Sequence, residues 1–313
     1  MTTKTSARVF GAADMAMIAT CVLWGIGAVV VKNAIGDTPD TFRVFVFNGL
    51  RMPLVSLMLF AWVKLTGAPV ALERRDIPFV AGVSFAGMFM HILTSLAGLK
   101  LSNASNMGII FATVPLFTLL ISFAAGIEKP TVRLASGIII GMTGVLALSW
   151  HNGGIALNPG DALLLASCLF WALYTVYSKR ILNSYSPVVA IAWVFFFASV
   201  YQMPVFLYQL RGQTWGTISA SNWMNLAIGT IGSYTIANAL YYYAIHAIGP
   251  VRAGIYNNLT PGFTLLFAAA LRGEEITVQK IAGLAIILAG IAVTKIPVRT
   301  HGLRKKRDPL PQG

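Results

Sequence analysis

Long stretches of this chain are apolar on every turn of the helical period, and short polar segments separate them. A helix needs about 20 apolar residues to cross the hydrocarbon layer of a bilayer, and these stretches reach that length. Helices of soluble proteins usually have a polar side that faces water, and these stretches have none. The pattern therefore predicts ten membrane-spanning helices, near residues 13–32, 43–63, 78–98, 103–125, 132–150, 161–181, 188–208, 223–244, 250–271 and 279–297.

One unit of five helices is used twice. Residues 104–149 recur as residues 250–295, with matches that include Pro115 and Pro261, Glu128 and Glu274, Gly137 and Gly283, and Gly144 and Gly290. The earlier part of the unit repeats as well, since Asp14, Cys21, Trp24 and Lys32 match Asp161, Cys168, Trp171 and Lys179. Because five is an odd number, the second copy must enter the membrane from the opposite face.

An all-α membrane protein is therefore expected, with ten transmembrane helices arranged as two inverted five-helix repeats. Its expected parts are a cytoplasmic N-terminus at 1–11, a first repeat at 12–150, a second repeat at 161–297 and a basic cytoplasmic tail at 298–313. Two such halves around a site between them are common among secondary transporters, where the site opens to one side of the membrane at a time.

The amino-acid composition supports a membrane environment. Hydrophobic residues make up 57% and charged residues 11% of the chain, against about 25% charged in soluble proteins. Too few polar residues remain to coat a soluble surface, so lipid must be part of the solvent. The formal net charge of +13 comes from cations between and after apolar stretches, without a nucleic-acid-binding motif, and nucleic acid is excluded as a partner.

The positions of Lys and Arg predict the orientation. Counting the N-terminus, alternate loops and the tail as one side places most of the 23 Lys and Arg residues there. Cytoplasmic loops carry such an excess, so both termini are predicted to be cytoplasmic. The basic tail is expected to lie against anionic lipid headgroups.

Catalytic and energy-coupling motifs are absent from the sequence. No Gly-x-x-x-x-Gly-Lys phosphate loop occurs, so ATP does not drive a transport cycle directly. His-Glu-x-x-His and Gly-x-Ser-x-Gly are missing too. The four histidines are dispersed, and the two cysteines lie within apolar spans, where packing explains them. We expect no enzymatic activity, no catalytic residues, no metal site and no cofactor.

Acidic residues avoid the middle of the spans. All ten Asp and Glu residues fall at span ends, in loops or in the tail. Many proton antiporters and exporters of cationic drugs use a buried carboxylate, and such intramembrane charges mark their pathways. The pattern favours neutral or zwitterionic substrates over lipophilic cations. If protons are coupled to transport, His91 is the best titratable side chain within the spans.

Two prolines, Pro115 and Pro261, occupy equivalent positions in the two repeats. Each lacks an amide hydrogen and is expected to leave the carbonyl four residues earlier, at Phe111 or Asn257, unpaired. In lipid such a carbonyl must find a partner or face a wet cavity. We expect paired helix kinks beside the site, with packing alone as the alternative.

Several polar side chains lie within apolar spans, where an unpaired amide costs several kcal/mol. They either line a central cavity or form hydrogen bonds between helices. These candidates are His91, Asn106, Tyr234, Asn238, Asn257 and Asn258.

Trp24 and Trp171 are equivalent residues well inside their spans, too deep for headgroup anchors. Their ring faces suit stacking against flat or amphipathic substrates, although large side chains also serve packing. Tyr174 lies one helical turn from Trp171 and adds a hydroxyl group. The run Tyr241-Tyr242-Tyr243 lies near a span end and is expected to belong to an interfacial aromatic belt.

Arg51 is the one charge far from a predicted loop. A buried guanidinium is costly unless it is paired or hydrated, so an intramembrane arginine is a functional candidate. Alternatively, it binds carbonyls freed near Pro53 or extends towards the membrane surface. Lys32 and Lys179 close their helices, where we expect each to cap a helix C-terminus.

These residues together resemble the drug/metabolite transporter superfamily, and within it the ten-helix EamA-type transporters, over residues 12–297. The resemblance rests on Leu23-Trp24-Gly25 with Lys32, on Arg51, and on the repeated pattern of Pro115, Glu128 and Gly137 with Pro261, Glu274 and Gly283. It implies the bacterial cytoplasmic (inner) membrane as location and a central cavity lined mainly by the first, third, fourth, sixth, eighth and ninth helices. Family members move small metabolites, mostly outward.

We expect a secondary transporter that exports small neutral or zwitterionic metabolites, such as amino acids, by alternating access. Import of a vitamin or a nucleoside-like compound is the alternative within transport. From other classes, a membrane enzyme or a non-transporting membrane scaffold remains an alternative. The expected partners are a small-molecule metabolite and membrane lipids, with a monomer as the simplest assembly.

Overall fold

The computed structural model describes residues 11–36, 38–67, 69–101, 110–111, 113–127, 131–149, 159–273 and 276–295. These residues are helical apart from short connections, and among them no β-strand forms. The predicted site residue Asn106 and the predicted tail at 298–313 lie outside the described residues.

Helices follow the predicted spans along the described chain. In order they are α1 (Ala12–Ala34), α2 (Val44–Leu65), α3 (Ile77–Leu101), α4 (Val114–Ala124), α5 (Val132–Ser149), α6 (Pro159–Leu182), α7 (Pro187–Leu210), α8 (Ala220–Ile228, Gly229–Ile236 and Ala237–Ile248), α9 (Pro250–Tyr256, Asn257–Leu259 and Thr260–Arg272) and α10 (Val278–Lys295). Five helices in the described ranges are long and apolar enough to cross a membrane: Ala12–Ala34, Val44–Leu65, Ile77–Leu101, Ala162–Leu182 and Pro187–Leu210. The all-helical fold is confirmed, while the count of ten spans stays a prediction.

Local sequence explains where several helices begin and end. Pro187 and Pro250 open α7 and α9, because the first turn needs no amide hydrogen and proline fixes a helical φ. Gly249 joins α8 to α9 with a φ of 83°, and Gly273 ends α9 with a φ of 68°. Both values lie in the left-handed region, which glycine adopts without strain.

The second helices of the two repeats, α2 and α7, run antiparallel. The amide of Asn48 donates to Gln202 Oε1 at 2.7 Å, and Ser56 Oγ donates to the carbonyl of Ala192 at 3.3 Å. Residue numbers therefore rise along α2 while those of its partners fall along α7. The side chains that form these bonds are buried, and the bonds fix the register of the two helices.

The fifth helices, α5 and α10, also run antiparallel, and glycines set their separation. A Cβ on Gly144 would lie 2.7 Å from the backbone nitrogen of Ile287, and a Cβ on Gly290 would lie 2.7 Å from that of Gly141. Small residues let helix backbones approach this closely in membrane proteins. Close packing of α5 against α10 thus explains why glycine recurs at Gly144 and Gly290.

The first helix of each repeat packs against the third and fourth helices of the other repeat. Helix α1 contacts α8 and α9, and α6 contacts α3 and α4. This exchange places α1 and α6 at the centre of the bundle, where equivalent residues of the two repeats meet.

The third helices of both repeats contain a π-helical stretch, Ser84–Phe89 in α3 and Gly229–Ile236 in α8. Such stretches are rare and occur frequently at functional sites. In α8 a hydroxyl group bonds across the widened turn, since Thr235 Oγ1 donates to the carbonyl of Thr230, five residues earlier, at 2.9 Å. Their occurrence in equivalent helices shows that the fold uses the same distortion twice.

Loops on two opposite faces are tied by side chains. On one face the Tyr185 hydroxyl donates to Asp76 at 2.6 Å, and desolvation together with this carboxylate raises the pKa of Tyr185. On the other face the backbone nitrogen of Arg43 donates to Gln213 Oε1 at 2.8 Å.

Lys179 was expected to cap the C-terminus of its own helix, α6. Its Nζ instead donates to the carbonyl of His246 at 2.8 Å, so this lysine caps the C-terminus of the neighbouring helix α8.

Candidate functional site

Two equivalent tryptophans meet between the repeats. The ring centroids of Trp24 on α1 and Trp171 on α6 lie 5.4 Å apart in an edge-to-face arrangement. Tyr241 of α8 stacks on Trp171 at 5.5 Å and lies 5.1 Å from Trp24. Such ring pairs stabilise beyond the area they bury. Three helices from both repeats are joined here by aromatic faces.

Three further rings extend this group. Tyr174 lies 5.1 Å from Trp171 and 5.6 Å from Tyr242, and the His91 ring lies 4.8 Å from Trp171. The structure thus brings together four side chains predicted from the sequence, on α1, α3 and α6. We call the aromatic cluster the set Trp24, His91, Trp171, Tyr174, Tyr241 and Tyr242.

The expected interfacial position of Tyr241 and Tyr242 is wrong. Both side chains are fully buried, whereas Tyr243 is 41% exposed. Their hydroxyl groups pair with Thr175 at 2.9 Å and with Ser178 at 2.7 Å on α6. Because these bonds satisfy the polar ends, the rings can lie inside the bundle.

Backbone carbonyls orient two members of the aromatic cluster. Trp24 Nε1 donates to the carbonyl of Ser233 at 3.0 Å, within the π-helical stretch of α8. His91 Nδ1 lies 3.0 Å from the carbonyl of Ser167, and because a carbonyl only accepts, this nitrogen must carry the hydrogen. The Tyr174 hydroxyl is buried near the Tyr242 hydroxyl, without a well-aligned hydrogen bond among the described residues.

Helix α9 is interrupted beside the aromatic cluster. Asn257–Leu259 form a 3₁₀ turn immediately before the half-helix that Pro261 opens. Asn257 lies near the Tyr241 hydroxyl, and within the described chain its Oδ1 has no donor. Asn258 Nδ2 instead faces α5, where a Cβ on Gly141 would lie 2.7 Å from it. Of the two neighbouring amides, only Asn257 is directed to the cluster.

The expectation that the Asn257 carbonyl stays unpaired is wrong. It accepts a hydrogen bond from the backbone nitrogen of Thr260, because the 3₁₀ turn shifts the pairing by one residue and recovers the bond that Pro261 removes. In the first repeat, Pro115 likewise lies in the first turn of a half-helix, α4, after Thr113. The two prolines therefore start half-helices in both repeats.

The two cysteines contact equivalent backbone carbonyls, each ahead of the proline of its repeat. Cys21 Sγ lies 3.0 Å from the carbonyl of Tyr256, and Cys168 Sγ lies 3.4 Å from that of Ile110. Each carbonyl is five residues before the proline of its repeat. Packing alone does not describe these thiols, since each is a weak donor beside a helix interruption. Their equivalent positions in the repeat were the sequence signal for this role.

Asp14 forms a contact that the sequence reading did not foresee. Its carboxylate accepts hydrogen bonds from the Tyr256 hydroxyl and, at 2.9 Å, from the backbone nitrogen of Gly11. The N-terminus of α1 is thereby joined to the last residue before the interruption of α9. The equivalent of Tyr256 in the first repeat is Ile110, which has no hydroxyl, so this link exists in one half only.

Arg51 is buried between α2 and α8, with 1% of its surface exposed. Its Nη2 donates to Asn48 Oδ1 at 2.7 Å, and its guanidinium carbon lies 3.6 Å from the centre of the Tyr234 ring. Neither alternative from the sequence, binding to carbonyls freed near Pro53 or extension to the membrane surface, describes this position. Asn238 donates to the carbonyl of Tyr234 at 2.9 Å and so supports the backbone of the π-helical stretch.

The candidate site is thus a central aromatic cluster with a polar flank. A cavity of about 190 Å³ lies apart from it, between α2, α3 and α7, lined in part by Arg43, Lys100 and Gln209. Within the described ranges, no three His, Cys, Asp or Glu side chains come close enough to hold a metal ion. The arrangement offers ring faces and an amide, which are groups that can contact and orient a small molecule.

Comparisons with known proteins agree with this architecture. The model of the EamA-like transporter family matches the chain twice, over residues 11–150 and 158–296. The chain is 23% identical over 293 residues to the uncharacterized transporter YetK of Bacillus subtilis, covering 91% of this chain and 87% of that protein. It is 26% identical over 293 residues to the uncharacterized inner membrane transporter YedA of Escherichia coli K12, covering 89% of each.

A crystal structure shares the fold. It superposes with a TM-score of 0.73 at 20% sequence identity, covering 90% of this chain and 95% of that one.

Proposed function

Because the chain belongs to the EamA-like transporter family, we propose that it is a secondary transporter that exports small neutral or zwitterionic metabolites, such as amino acids, by alternating access. The observation that carries this proposal is the contact of Trp24 with Trp171 across the two repeats. A substrate bound between these rings would contact both halves of the protein. Movement of one half against the other then exposes it to one side at a time.

The proposed topology is ten spans in two inverted repeats, with both termini in the cytoplasm. Helical segments at every predicted span support it, as do the antiparallel pairs α2 with α7 and α5 with α10. The name of the relative YedA, an inner membrane transporter, supports the cytoplasmic membrane as the location. Tags on the two termini should both be found on the cytoplasmic side.

The aromatic cluster supports a neutral or zwitterionic substrate. Its members offer ring faces and tyrosine hydroxyl groups, the amide of Asn257 lies beside them, and none of these groups is a carboxylate. A lipophilic cation would need a buried negative charge to offset its lost hydration. Apolar side chains of amino acids instead gain from contact with the rings.

Import of a vitamin or a nucleoside-like compound is the second candidate. Tyr241 stacks on Trp171 at an interplanar angle of 27°, and this favours it because a flat heterocycle that displaced Tyr241 would stack on the same face of Trp171. Counterflow with amino acids and with nucleosides, measured in both directions, distinguishes the two candidates.

Purified protein in liposomes without ATP tests the proposal. Vesicles loaded with one neutral amino acid should accumulate the same labelled amino acid from outside by exchange. Empty vesicles and vesicles with Trp171→Ala protein are the controls. If no metabolite of a broad panel exchanges faster than in empty vesicles, secondary transport is contradicted and a non-transporting scaffold becomes the better description.

A further inference from the structure

Buried polar groups without partners gather around Arg51, on the polar flank of the aromatic cluster. Within the described chain, Arg51 Nε and Nη1 have no hydrogen-bond acceptor, and Gln202 Nε2 has none either. Arg51 is 1% exposed and Gln202 is 3% exposed. The described residues contain one salt bridge, between Arg75 and Glu73, so Arg51 is a buried cation without a carboxylate.

The positive charge of Arg51 determines how the side-chain amides of Asn48 and Gln202 are oriented. Arg51 can only donate, so the atom of Asn48 that faces it, at 2.7 Å, must be the oxygen. The amide nitrogen of Asn48 therefore donates to Gln202 Oε1 at 2.7 Å. This order leaves the nitrogen of Gln202 as a further buried donor in the same hydrogen-bonded group. The unpaired atoms of Arg51 and Gln202 are all donors, and donors suit an anion.

The Tyr234 side chain lies against the guanidinium of Arg51, and its hydroxyl group is close enough to interact with that cation. Arg51 lies over this ring at 3.6 Å, and over Phe47 at 4.9 Å. An aromatic face stabilises the cation through its quadrupole, while the N–H groups point outward in the guanidinium plane. Tyr234 belongs to the π-helical stretch of α8, and its neighbour Ser233 accepts the hydrogen bond of Trp24. The Arg51 group and the aromatic cluster therefore share one helix segment.

The second repeat provides an internal control. Helix α7, the counterpart of α2, contains no charged residue between Pro187 and Leu210. The fold therefore does not require a charge in its second helices. A cation without a counter-ion is expensive to bury, and this one is present in a single repeat, which argues for a ligand rather than for packing.

We propose that Arg51, together with Gln202 Nε2, binds the carboxylate group of the transported substrate. This inference rests on the proposed transport function and narrows it to substrates that carry a carboxylate, such as zwitterionic amino acids. A guanidinium matches a carboxylate with two parallel N–H···O bonds, which an amide group does not reproduce. Uncharged nucleosides and amino acid amides are then poor substrates.

Competition between an amino acid and its own carboxamide tests the inference. A neutral amino acid that exchanges in liposomes is used as the labelled substrate, and its carboxamide and unlabelled form are the competitors. We expect the carboxamide to compete at least about tenfold more weakly, because it loses the charge-assisted pair. Equal competition by the two would overturn the inference while leaving transport intact.

Substitutions separate a binding role from a structural one. Arg51→Gln should abolish the preference for the carboxylate without lowering the melting temperature, because it removes a buried charge that has no carboxylate partner and keeps an amide donor in its place. Arg51→Lys keeps the charge but loses the planar guanidinium with its paired N–H donors, so it should keep part of the preference for the carboxylate. Arg211→Gln removes an exposed cation and should leave the preference unchanged. A lower melting temperature together with an unchanged preference in Arg51→Gln would show a structural role and contradict the proposal.

The two proposals fail in different ways. If none of the neutral amino acids exchanges, transport of such substrates is contradicted, and the carboxylate inference falls with it. If they exchange but the Arg51 variants keep full carboxylate preference, only the inference fails.

Discussion

The contact of α1 with α8 and the contact of α6 with α3 occupy corresponding places in the two halves, yet different residues form them. In the first, a Cβ on Gly27 would lie 2.5 Å from the Cβ of Ser233. In the second, a Cβ on Gly87 would lie 2.5 Å from the Cβ of Tyr174. The small residue is on the first helix of the repeat in one half and on the third helix in the other.

This difference shows what the fold requires and what it leaves free. Both contacts need a close approach of helices, and either helix can supply the glycine. Placing glycine on α3 allows α6 to carry Tyr174, whose ring joins the aromatic cluster. The other half has Gly27 at that position and contributes no ring. A nearly symmetric scaffold thus supports an asymmetric aromatic cluster.

The largest expected effect comes from adding a methyl group at both close contacts. Gly87→Ala and Gly27→Ala should each lower the free energy of unfolding by about 1–3 kcal/mol, because neither packed site has room for it. Thermal unfolding of purified protein in detergent measures this. Gly82→Ala is the matched control, since nothing lies within 4 Å of a Cβ there. Tolerance of one substitution but not the other would contradict the equivalence of the two contacts.

A smaller effect is expected from the link that only one half contains. Tyr256→Phe removes the hydrogen bond to Asp14 and should cost about 1 kcal/mol of stability, a value reduced by the partial exposure of Asp14. The exposed Tyr243→Phe is the control and should not change the melting temperature. An unchanged melting temperature in Tyr256→Phe would mean that the hydrogen bond of Tyr256, which Ile110 cannot form, does not contribute to the stability of the protein.

The smallest effect is expected at the symmetric thiols. Cys21→Val and Cys168→Val remove a weak donor from each broken helix at similar side-chain volume, and each should cost less than about 1 kcal/mol. The two variants should behave alike in thermal unfolding. A large loss in one of them alone would show that the broken helices α4 and α9 differ in their need for this contact.

The sequence repeat predicted part of the site for a physical reason. Trp24 and Trp171 are equivalent residues on equivalent helices, and side chains near a two-fold axis meet their own counterparts. The antiparallel pairing of α5 with α10 follows from the same symmetry and from the spacing of the repeated glycines. Hydropathy was enough to predict where the helices lie, because a helix that crosses a bilayer needs a long apolar stretch.

Other features had no signal in the pattern of apolar residues. The burial of Tyr241 and Tyr242 depends on Thr175 and Ser178, which lie far away in the sequence and become neighbours only through packing of α6 against α8. The π-helical stretches depend on how the backbone accommodates hydroxyl groups and neighbouring helices. The partner of Arg51, the Tyr234 ring, likewise comes from a distant helix.

Binding of a transported amino acid to purified protein, with and without the two central tryptophans, tests most directly the claim that substrate binds where the repeats meet. Trp24→Ala and Trp171→Ala should each weaken equilibrium binding by about tenfold or more, as loss of a ring contact of roughly 1.4 kcal/mol implies. Trp62→Ala, which removes a ring that is 42% exposed on α2, should bind as the wild-type protein does. Wild-type affinity in both Trp24→Ala and Trp171→Ala would contradict the account.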